Sequence, residues 1–285
     1  MELDHLRYET HDGVAEIVLD RPEVLNALSA GPGGTRDQIL AALAEAGADP
    51  AVGAVVLHGA GRAFCSGGDL TGNARRETAA EELAFLERAD AFHEAVRGSA
   101  VPVVAAVHGL CLGAGVSLAA ACDLVLAADD ARFGFPEGRM GLVGAGPITT
   151  VVGRQWAKFL ILTGELLDAD QAQALGLVLT VEPAAELLDR AFDLAARIAR
   201  MPREAVLLNR RSIDAIADAA GDAASRPARL AHDTVTLSMA ASATAPDGRR
   251  FREILDAEGM AGVKTARDQQ YTNPWLRPRP PASSG

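Results

Sequence analysis

The hydrophobic positions of this chain change their period about two-thirds of the way along it. Up to about residue 181, short apolar runs bounded by glycine, proline or aspartate predict buried strands. From about residue 184 onward, apolar residues recur at helical spacing and predict helices alone. Strands followed by helices indicate a mixed α/β fold with a helical C-terminal region.

The pattern gives bounds for each element. Strands are predicted at 7–10, 14–19, 54–58, 103–107, 123–127 and 176–181, the first two as a hairpin around Asp12-Gly13. Helices are predicted at 35–46 and 79–96, after the strand at 103 as far as residue 121, and at 186–199, 203–219, 227–240 and 248–261. Thr35 is predicted to cap the first helix. The proline-rich segment 274–285 is predicted to be disordered.

Two of the strands lead into glycine-rich turns. The first turn reads Phe-Cys-Ser-Gly-Gly-Asp at 64–69, and the second reads Leu-Gly-Ala-Gly at 112–115. Residues this small let backbone N–H groups face a ligand. If the two turns meet, two amide donors converge on one point and can stabilise an enolate or a tetrahedral oxygen. The pattern therefore predicts an enzyme that acts on acyl groups.

Length and composition favour an intracellular globular protein. The chain has 285 residues, of which 49% are apolar and 23% charged, enough for one large domain with a helical appendage. No apolar run is long enough for a membrane span, and residues 1–5 carry no secretory signal, so we expect a cytoplasmic protein without a membrane partner. The three cysteines and six histidines lack the spacing of metal ligands, so reduced thiols and no metal site are predicted.

The negative net charge of the chain limits the classes of partner that it could bind. A formal net charge of −11 argues against nucleic-acid binding, which requires a basic surface. An anionic ligand would have to be held by local amides and by a few cations. Arg62, Arg75 and Arg76 beside the first glycine turn are candidates, although each taken singly is as readily a solvated surface residue.

Short motifs follow one another between residues 14 and 202. They stand at 19–22 (LDRP), 26–28 (NAL), 61–70 (GRAFCSGGDL), 106–109 (AVHG), 113–115 (GAG), 121–124 (ACDL), 133–137 (FGFPE), 162–164 (LTG) and 174–178 (ALGLV). Each motif alone is short, but their order and spacing together are specific. In this order and spacing the chain resembles the crotonase superfamily, the enoyl-CoA hydratase and isomerase group.

The resemblance implies an α/β spiral of repeated ββα units that binds acyl-CoA thioesters and assembles as a homotrimer or homohexamer. It assigns residues 1–200 to the core with the acyl-CoA site. Residues 201–273 would form a helical region that covers the pocket or contributes to trimerisation. Coenzyme A enters as part of the substrate, and no separate cofactor is implied.

The resemblance also assigns site residues. The oxyanion hole falls on the backbone N–H groups of Ser66 and Ala114. Residues implied to bind the substrate are Arg21, Val24, Leu25, Ala27, Ala63, Gly67, Gly68, Asp69, Leu70 and Gly113. Asp69 fits a structural role in its turn better than a catalytic one.

Two further positions decide the chemistry. Hydratases of this family use two glutamates, and here the first position is Ser117 while the second is retained as Glu137. Aromatic and apolar neighbours are expected to raise the pKa of Glu137 toward neutrality, as proton transfer at carbon requires. A neutral hydroxyl cannot act as a general base at pH 7, so Ser117 leaves the two-carboxylate arrangement incomplete.

Several activities remain open from the sequence. Glu137 alone resembles the single-glutamate 3,2-enoyl-CoA isomerases. Ser117 and Glu137 together resemble the pair in hydroxycinnamoyl-CoA hydratase-lyases, although an aromatic content of 4% predicts no stacking pocket for a phenolic acyl group. Ser117 as an inert residue would leave a hydratase of altered activity. A catalytically silent acyl-CoA binder is the non-enzymatic alternative.

Overall fold

The computed structural model describes residues 3–70, 76–144, 146–219, 221–240 and 242–276. Within them the strands are β1 (Leu6–His11), β2 (Val14–Leu19), β3 (Ala54–Gly59), β4 (Ala63–Cys65), β5 (Val103–Val107), β6 (Leu110–Leu112), β7 (Leu124–Ala128), β8 (Arg132–Gly134), β9 (Leu166–Asp168) and β10 (Thr180–Glu182). The α-helices are α1 (Thr35–Ala48), α2 (Ala79–Arg97), α3 (Ala114–Ala121), α4 (Thr149–Thr163), α5 (Ala169–Ala174), α6 (Leu187–Ala199), α7 (Arg203–Ala219), α8 (Asp222–Ala240) and α9 (Phe251–Asp268).

The larger sheet has six strands in the order β1-β2-β3-β5-β7-β10. The predicted hairpin of β1 and β2 is confirmed and is antiparallel, and the remaining pairs are parallel. Every residue of β3 and β5 is buried, as expected for parallel strands covered on both faces. Alternate residues such as Val55 and Leu57 face the main core, while Ala54 and Val56 face α6.

A second sheet of four three-residue strands has the order β4-β6-β8-β9. β4, β6 and β8 are parallel, and each follows a strand of the larger sheet after a short connection. The chain thus repeats a unit of long strand, short strand and helical segment. Because parallel strands end at the same edge of a sheet, the segments after β4, β6 and β8 are brought together there.

Some predicted elements need correction. The four short strands and the helices α4 and α5 were not predicted, and the last strand occupies only Thr180–Glu182 instead of 176–181. The N-cap of α1 is Gly34, not Thr35. The Thr35 hydroxyl lies 3.1 Å from Ser29 Oγ and 3.1 Å from His5 Nδ1, so it ties the start of α1 to neighbouring loops.

After β10 the described chain is helical, as predicted. The segment predicted to be disordered starts at residue 274. Within it, the Trp275 backbone N–H donates to Glu165 Oε2 at 3.0 Å, and Leu276 packs against the core. Residues 274–276 are therefore part of the described structure. Residues 277–285 lie outside it. No described helix has the length and apolar character needed to cross a bilayer.

Candidate active site

The two glycine turns lie side by side at one edge of the smaller sheet. They leave the carboxyl ends of the parallel neighbours β4 and β6. A Cβ on Gly67 would lie 2.9 Å from Leu112 O and 3.6 Å from Ala114 N, so a side chain at this position would obstruct the approach. Gly67 also has φ +106°, which favours glycine. The turns therefore meet, as the sequence predicts.

The amide of Ser66 is not available to a ligand. Its N–H donates to Leu25 O at 2.9 Å. The prediction that Ser66 N–H binds the substrate oxygen is therefore wrong. Leu28 and Gly68 form an isolated parallel bridge. In it, Leu28 N–H donates to Gly67 O, and Asp69 N–H donates to Leu28 O. The N–H of Gly68 consequently points away from Leu28.

Each of the two turns has an unengaged amide that borders open space, that of Gly68 in the first turn and that of Ala114 in the second. Neither N–H donates to any residue in the described ranges. The Cβ position of Gly68 has no atom within 4 Å, so its backbone faces open space. Ala114 is the first residue of α3, where N–H groups lack intrahelical acceptors and the helix dipole favours negative charge. The pair is suited to a substrate oxygen that gains negative charge.

Both amides border a cavity of about 650 Å³. Most of the predicted site residues line it. They are Val24, Leu25, Ala27, Ser66, Gly67, Gly68, Asp69, Leu70, Gly113, Ala114, Ser117 and Glu137.

Arg21 and Ala63 do not line this cavity, contrary to the prediction that they bind substrate. Arg21 Nη1 donates to Ala27 O at 2.9 Å and to Asp69 Oδ2 at 3.1 Å. Ala63 is fully buried in β4, and its carbonyl accepts from Asn26 Nδ2 at 2.8 Å. Both residues hold the walls in position, and Arg21 engages the Asp69 carboxylate in doing so. Arg75 lies outside the described residues.

Glu137 follows β8, the strand next to β6. A Cβ on Gly113 would lie 2.5 Å from Glu137 Oε1, so the carboxyl rests against the second glycine turn. Burial raises the pKa of this carboxyl to about 7, against smaller lowering effects of a backbone hydrogen bond and of the charge of Arg267. A group with this pKa can both accept and donate a proton near neutral pH.

Residues 9–242 match the family model described as enoyl-CoA hydratase/isomerase. The chain belongs to this family. A probable enoyl-CoA hydratase of Mycobacterium tuberculosis is 34% identical over 228 residues, covering 75% of this chain and 82% of the relative. The mevalonyl-coenzyme A hydratase of Beauveria bassiana is 34% identical over 212 residues, covering 70% and 75%.

The solved structures agree with this assignment. The crystal structure of an enoyl-CoA hydratase/isomerase from Xanthobacter autotrophicus Py2 has a TM-score of 0.87 at 30% identity and covers 95% of this chain and 100% of its own. An enoyl-CoA hydratase from Mycobacterium smegmatis has a TM-score of 0.83 at 27% identity, covering 94% of each chain. The predicted crotonase-type fold is therefore confirmed.

In this hydratase/isomerase-family chain, Ser117 lies in the first turn of α3 and is 5% exposed. Its backbone N–H donates to Gly113 O at 3.2 Å, and the residue lines the cavity. A serine hydroxyl is neutral at all working pH values and offers one donor and two acceptor sites. At the second glycine turn the cavity thus has a carboxyl with a raised pKa at 137 and a neutral hydroxyl at 117.

The cysteines take no part in this chemistry. All three are free and buried, as predicted for reduced thiols. Burial raises the pKa of Cys65 to about 12, which leaves no thiolate at neutral pH.

One wall of the cavity consists of residues that were not predicted from the sequence. Its charged or polar members are Arg36 of α1, Asp90 and His93 of α2, and Arg229 and Asp233 of α8. Burial and the neighbouring charge of Arg36 lower the pKa of His93 to about 3, so the imidazole is neutral. Asp90 and His93 stand three residues apart on one helix face, which is the signal that could have indicated a polar wall.

One group of metal-ligand side chains comes together in the described part of the chain. Ligand atoms of Glu9, His11 and Glu16 lie within 4.8 Å of one another on the β1–β2 hairpin. Glu9 and His11 are exposed, and His58 Nε2 already lies 2.8 Å from Glu16 Oε1. None of these residues lines the cavity.

The raised pKa of Glu137 has a consequence for stability. Because the unfolded carboxyl ionises near pH 4.5 and the folded one near 7, the wild type loses stability as pH rises through this window. We expect Glu137→Gln to be more stable than the wild type by about 2–3 kcal/mol at pH 8, and by much less at pH 5. Urea denaturation at both pH values measures the difference. An equal difference at pH 5 and pH 8 would contradict the assignment of the pKa.

Proposed function

We propose that this chain moves a proton on an enoyl thioester of coenzyme A, with allylic isomerisation favoured over hydration. The N–H groups of Gly68 and Ala114 hold the thioester carbonyl oxygen. The carboxylate of Glu137 removes a proton from the carbon next to the carbonyl, and the negative charge moves onto the held oxygen. Glu137 then returns the proton to the γ carbon, so that the double bond shifts and the carboxylate is regenerated.

The observation that supports this proposal is a single carboxyl with a pKa of about 7 in the same cavity as two unengaged amides. Isomerisation needs one group that takes and returns the same proton. Hydration needs water to be oriented while a proton is delivered, and the second carboxyl that would do so is absent at Ser117.

A Ser/Glu hydratase is the second candidate, and the burial of Ser117 at the cavity wall favours it. In this case the hydroxyl and Glu137 would orient one water between them. Ser117→Ala separates the two candidates. It leaves isomerisation within a few-fold of the wild type if Ser117 is inert, and it removes hydration if the hydroxyl binds the water.

The direct test is the reaction itself. The protein is incubated with crotonyl-CoA, a 3-enoyl-CoA and feruloyl-CoA, and the products are followed by mass spectrometry. Conversion of the 3-enoyl-CoA to the 2-enoyl-CoA is the expected main reaction. Release of acetyl-CoA from feruloyl-CoA would indicate a lyase. If none reacts, exchange of the α proton of a saturated acyl-CoA in D₂O separates a weak enzyme from a silent binder, which exchanges nothing.

Restoring a carboxyl at position 117 is expected to increase hydration. We expect Ser117→Glu to hydrate crotonyl-CoA at least about tenfold faster than the wild type, because a second acid–base group adds to catalysis. Loss of absorbance of the conjugated double bond measures the rate. Ser117→Gln is the matched control, since it adds the same volume without a titratable group. An equal gain in both variants would contradict the role of the carboxyl.

A further inference from the structure

The cavity contains a buried positive charge that no carboxylate of the described residues neutralises. Arg36, in the first turn of α1, lines the cavity and is 8% exposed. Its Nε is buried, and within the described ranges it has no hydrogen-bond partner and no carboxylate pairs with the guanidinium. A guanidinium remains protonated in proteins even when burial lowers its pKa. Such a charge is costly to bury unless an anion comes to it.

Two aromatic rings fix the guanidinium in place. Arg36 Cζ lies 5.7 Å from the ring centroid of Phe85 and 5.7 Å from that of Phe92. Cation–π contacts of this kind orient a cation but bring no negative charge to it. Phe85 itself lines the cavity, so the group is held beside the open space.

The carboxyl groups that line the cavity are exposed, protonated in part or bound to other cations. Glu23 is exposed, and the pKa of Glu137 is raised. Asp69 binds Arg21, and Asp90 binds both Arg226 and Arg229. Asp233 lies 3.9 Å from Arg229.

The other cations of the lining differ from Arg36. Arg62 and Lys264 are exposed, Arg76 binds Glu82, Arg229 binds Asp90, and Arg267 binds Asp268. Arg36 is thus the buried lining cation, among the residues described, that has no carboxylate of its own.

Arg36 lies close to both glycine turns. Its charge acts on the thiol of Cys65, which lies within the first turn. It also acts on His93, whose imidazole interacts with the backbone of Ala114. His93 Nε2 is a second buried atom without a partner in the described chain. Arg36 therefore lines the same part of the cavity as the two glycine turns, whose amides hold the thioester carbonyl in the proposed function.

We infer that Arg36 binds a carboxylate carried by the acyl group, so that the chain takes the coenzyme A monothioester of a dicarboxylic acid. The inference rests on the proposed function, which brings an acyl group into this cavity. A planar guanidinium binds a carboxylate through two parallel N–H···O bonds, which suits both the charge and the fixed orientation of Arg36. An uncharged acyl chain would leave the buried charge unpaired.

Saturated thioesters make the test independent of catalysis. Binding of succinyl-, glutaryl- and adipyl-CoA is compared by calorimetry with binding of butyryl-, valeryl- and hexanoyl-CoA, in pairs of equal carbon number. We expect the wild type to bind the carboxylate-bearing member at least about tenfold more tightly in at least one pair. Arg36→Met is expected to abolish this preference, and Arg36→Lys to retain part of it, because lysine keeps the charge but not the planar pair of donors.

Arg62→Met is the matched control, because it removes an exposed cation of the same lining. It is expected to leave the ratio within each pair unchanged. Equal affinity within every pair of the wild type would overturn the inference, whether or not Arg36→Met folds. An equal loss for both members in Arg36→Met would overturn it too, because Arg36 would then contact the coenzyme A portion. If none of the six thioesters binds, the proposed function is refuted as well.

Discussion

Replacing Glu137 with glutamine is expected to lower turnover by about 10²–10⁴-fold, the usual contribution of a positioned acid–base group. Glutamine keeps the volume and the hydrogen bonds of the side chain beside Gly113 but cannot take up a proton. We therefore expect kcat to fall while the affinity for a saturated acyl-CoA stays within a few-fold of the wild type. Steady-state kinetics on a 3-enoyl-CoA and calorimetry with the saturated thioester measure the two quantities.

The pH dependence provides an independent check. Abstraction of the α proton needs the carboxylate, and the pKa of Glu137 in the free protein is about 7. The wild-type kcat/KM should therefore be constant above about pH 8 and fall toward tenfold per pH unit well below 7. Residual activity of Glu137→Gln should lack this decrease. Full activity in the variant, or an unchanged pH profile, would refute the role of Glu137.

Replacing Ala114 with proline is expected to lower kcat by about 10²–10³-fold, which is the typical loss for one oxyanion donor. The change replaces one N–H with the Cδ methylene of the proline ring. Ala114 is the first residue of α3, a position where proline is favoured because its φ suits the helix and its missing N–H has no helical acceptor. We therefore expect the melting temperature to change little while catalysis is lost.

Ala114→Gly is the matched control, because it changes the side chain and retains the N–H. Kinetics of both variants on the same 3-enoyl-CoA, with thermal denaturation followed by circular dichroism, separate the donor from the fold. A folded Ala114→Pro variant with wild-type kcat would show that this amide does not hold the oxygen.

Much of the larger sheet was predictable from the sequence. β5 and β7 are continuous apolar runs and β3 begins with one, which is the pattern of strands buried on both faces. In β2 the apolar residues are interrupted by Glu16 alone. The strands of the smaller sheet have three residues each, too short for any period to develop. The apolar run at 177–178 is buried without forming a strand, which explains the wrong start of β10.

Only part of the site's geometry could be predicted from the sequence. Ala114 and Glu137 line the cavity, where the resemblance implies that they lie. In the first turn the amide that faces outward belongs to Gly68 and not to Ser66. The bridge between Leu28 and Gly68 decides this, and the two residues lie far apart in the sequence. Arg36 was not identified for a similar reason, since its burial depends on α2, whose contact with α1 the local pattern does not reveal.

The three groups assigned to the reaction follow β4, β6 and β8, neighbours within one ladder of main-chain hydrogen bonds. Their spacing is thus inherited from the backbone and owes little to the side chains around them. Substitutions at residues 36 and 117 would therefore leave the spacing of these three groups unchanged. New substrate specificities would then evolve by substitution of side chains that line the cavity, while the backbone positions of the three groups stay the same.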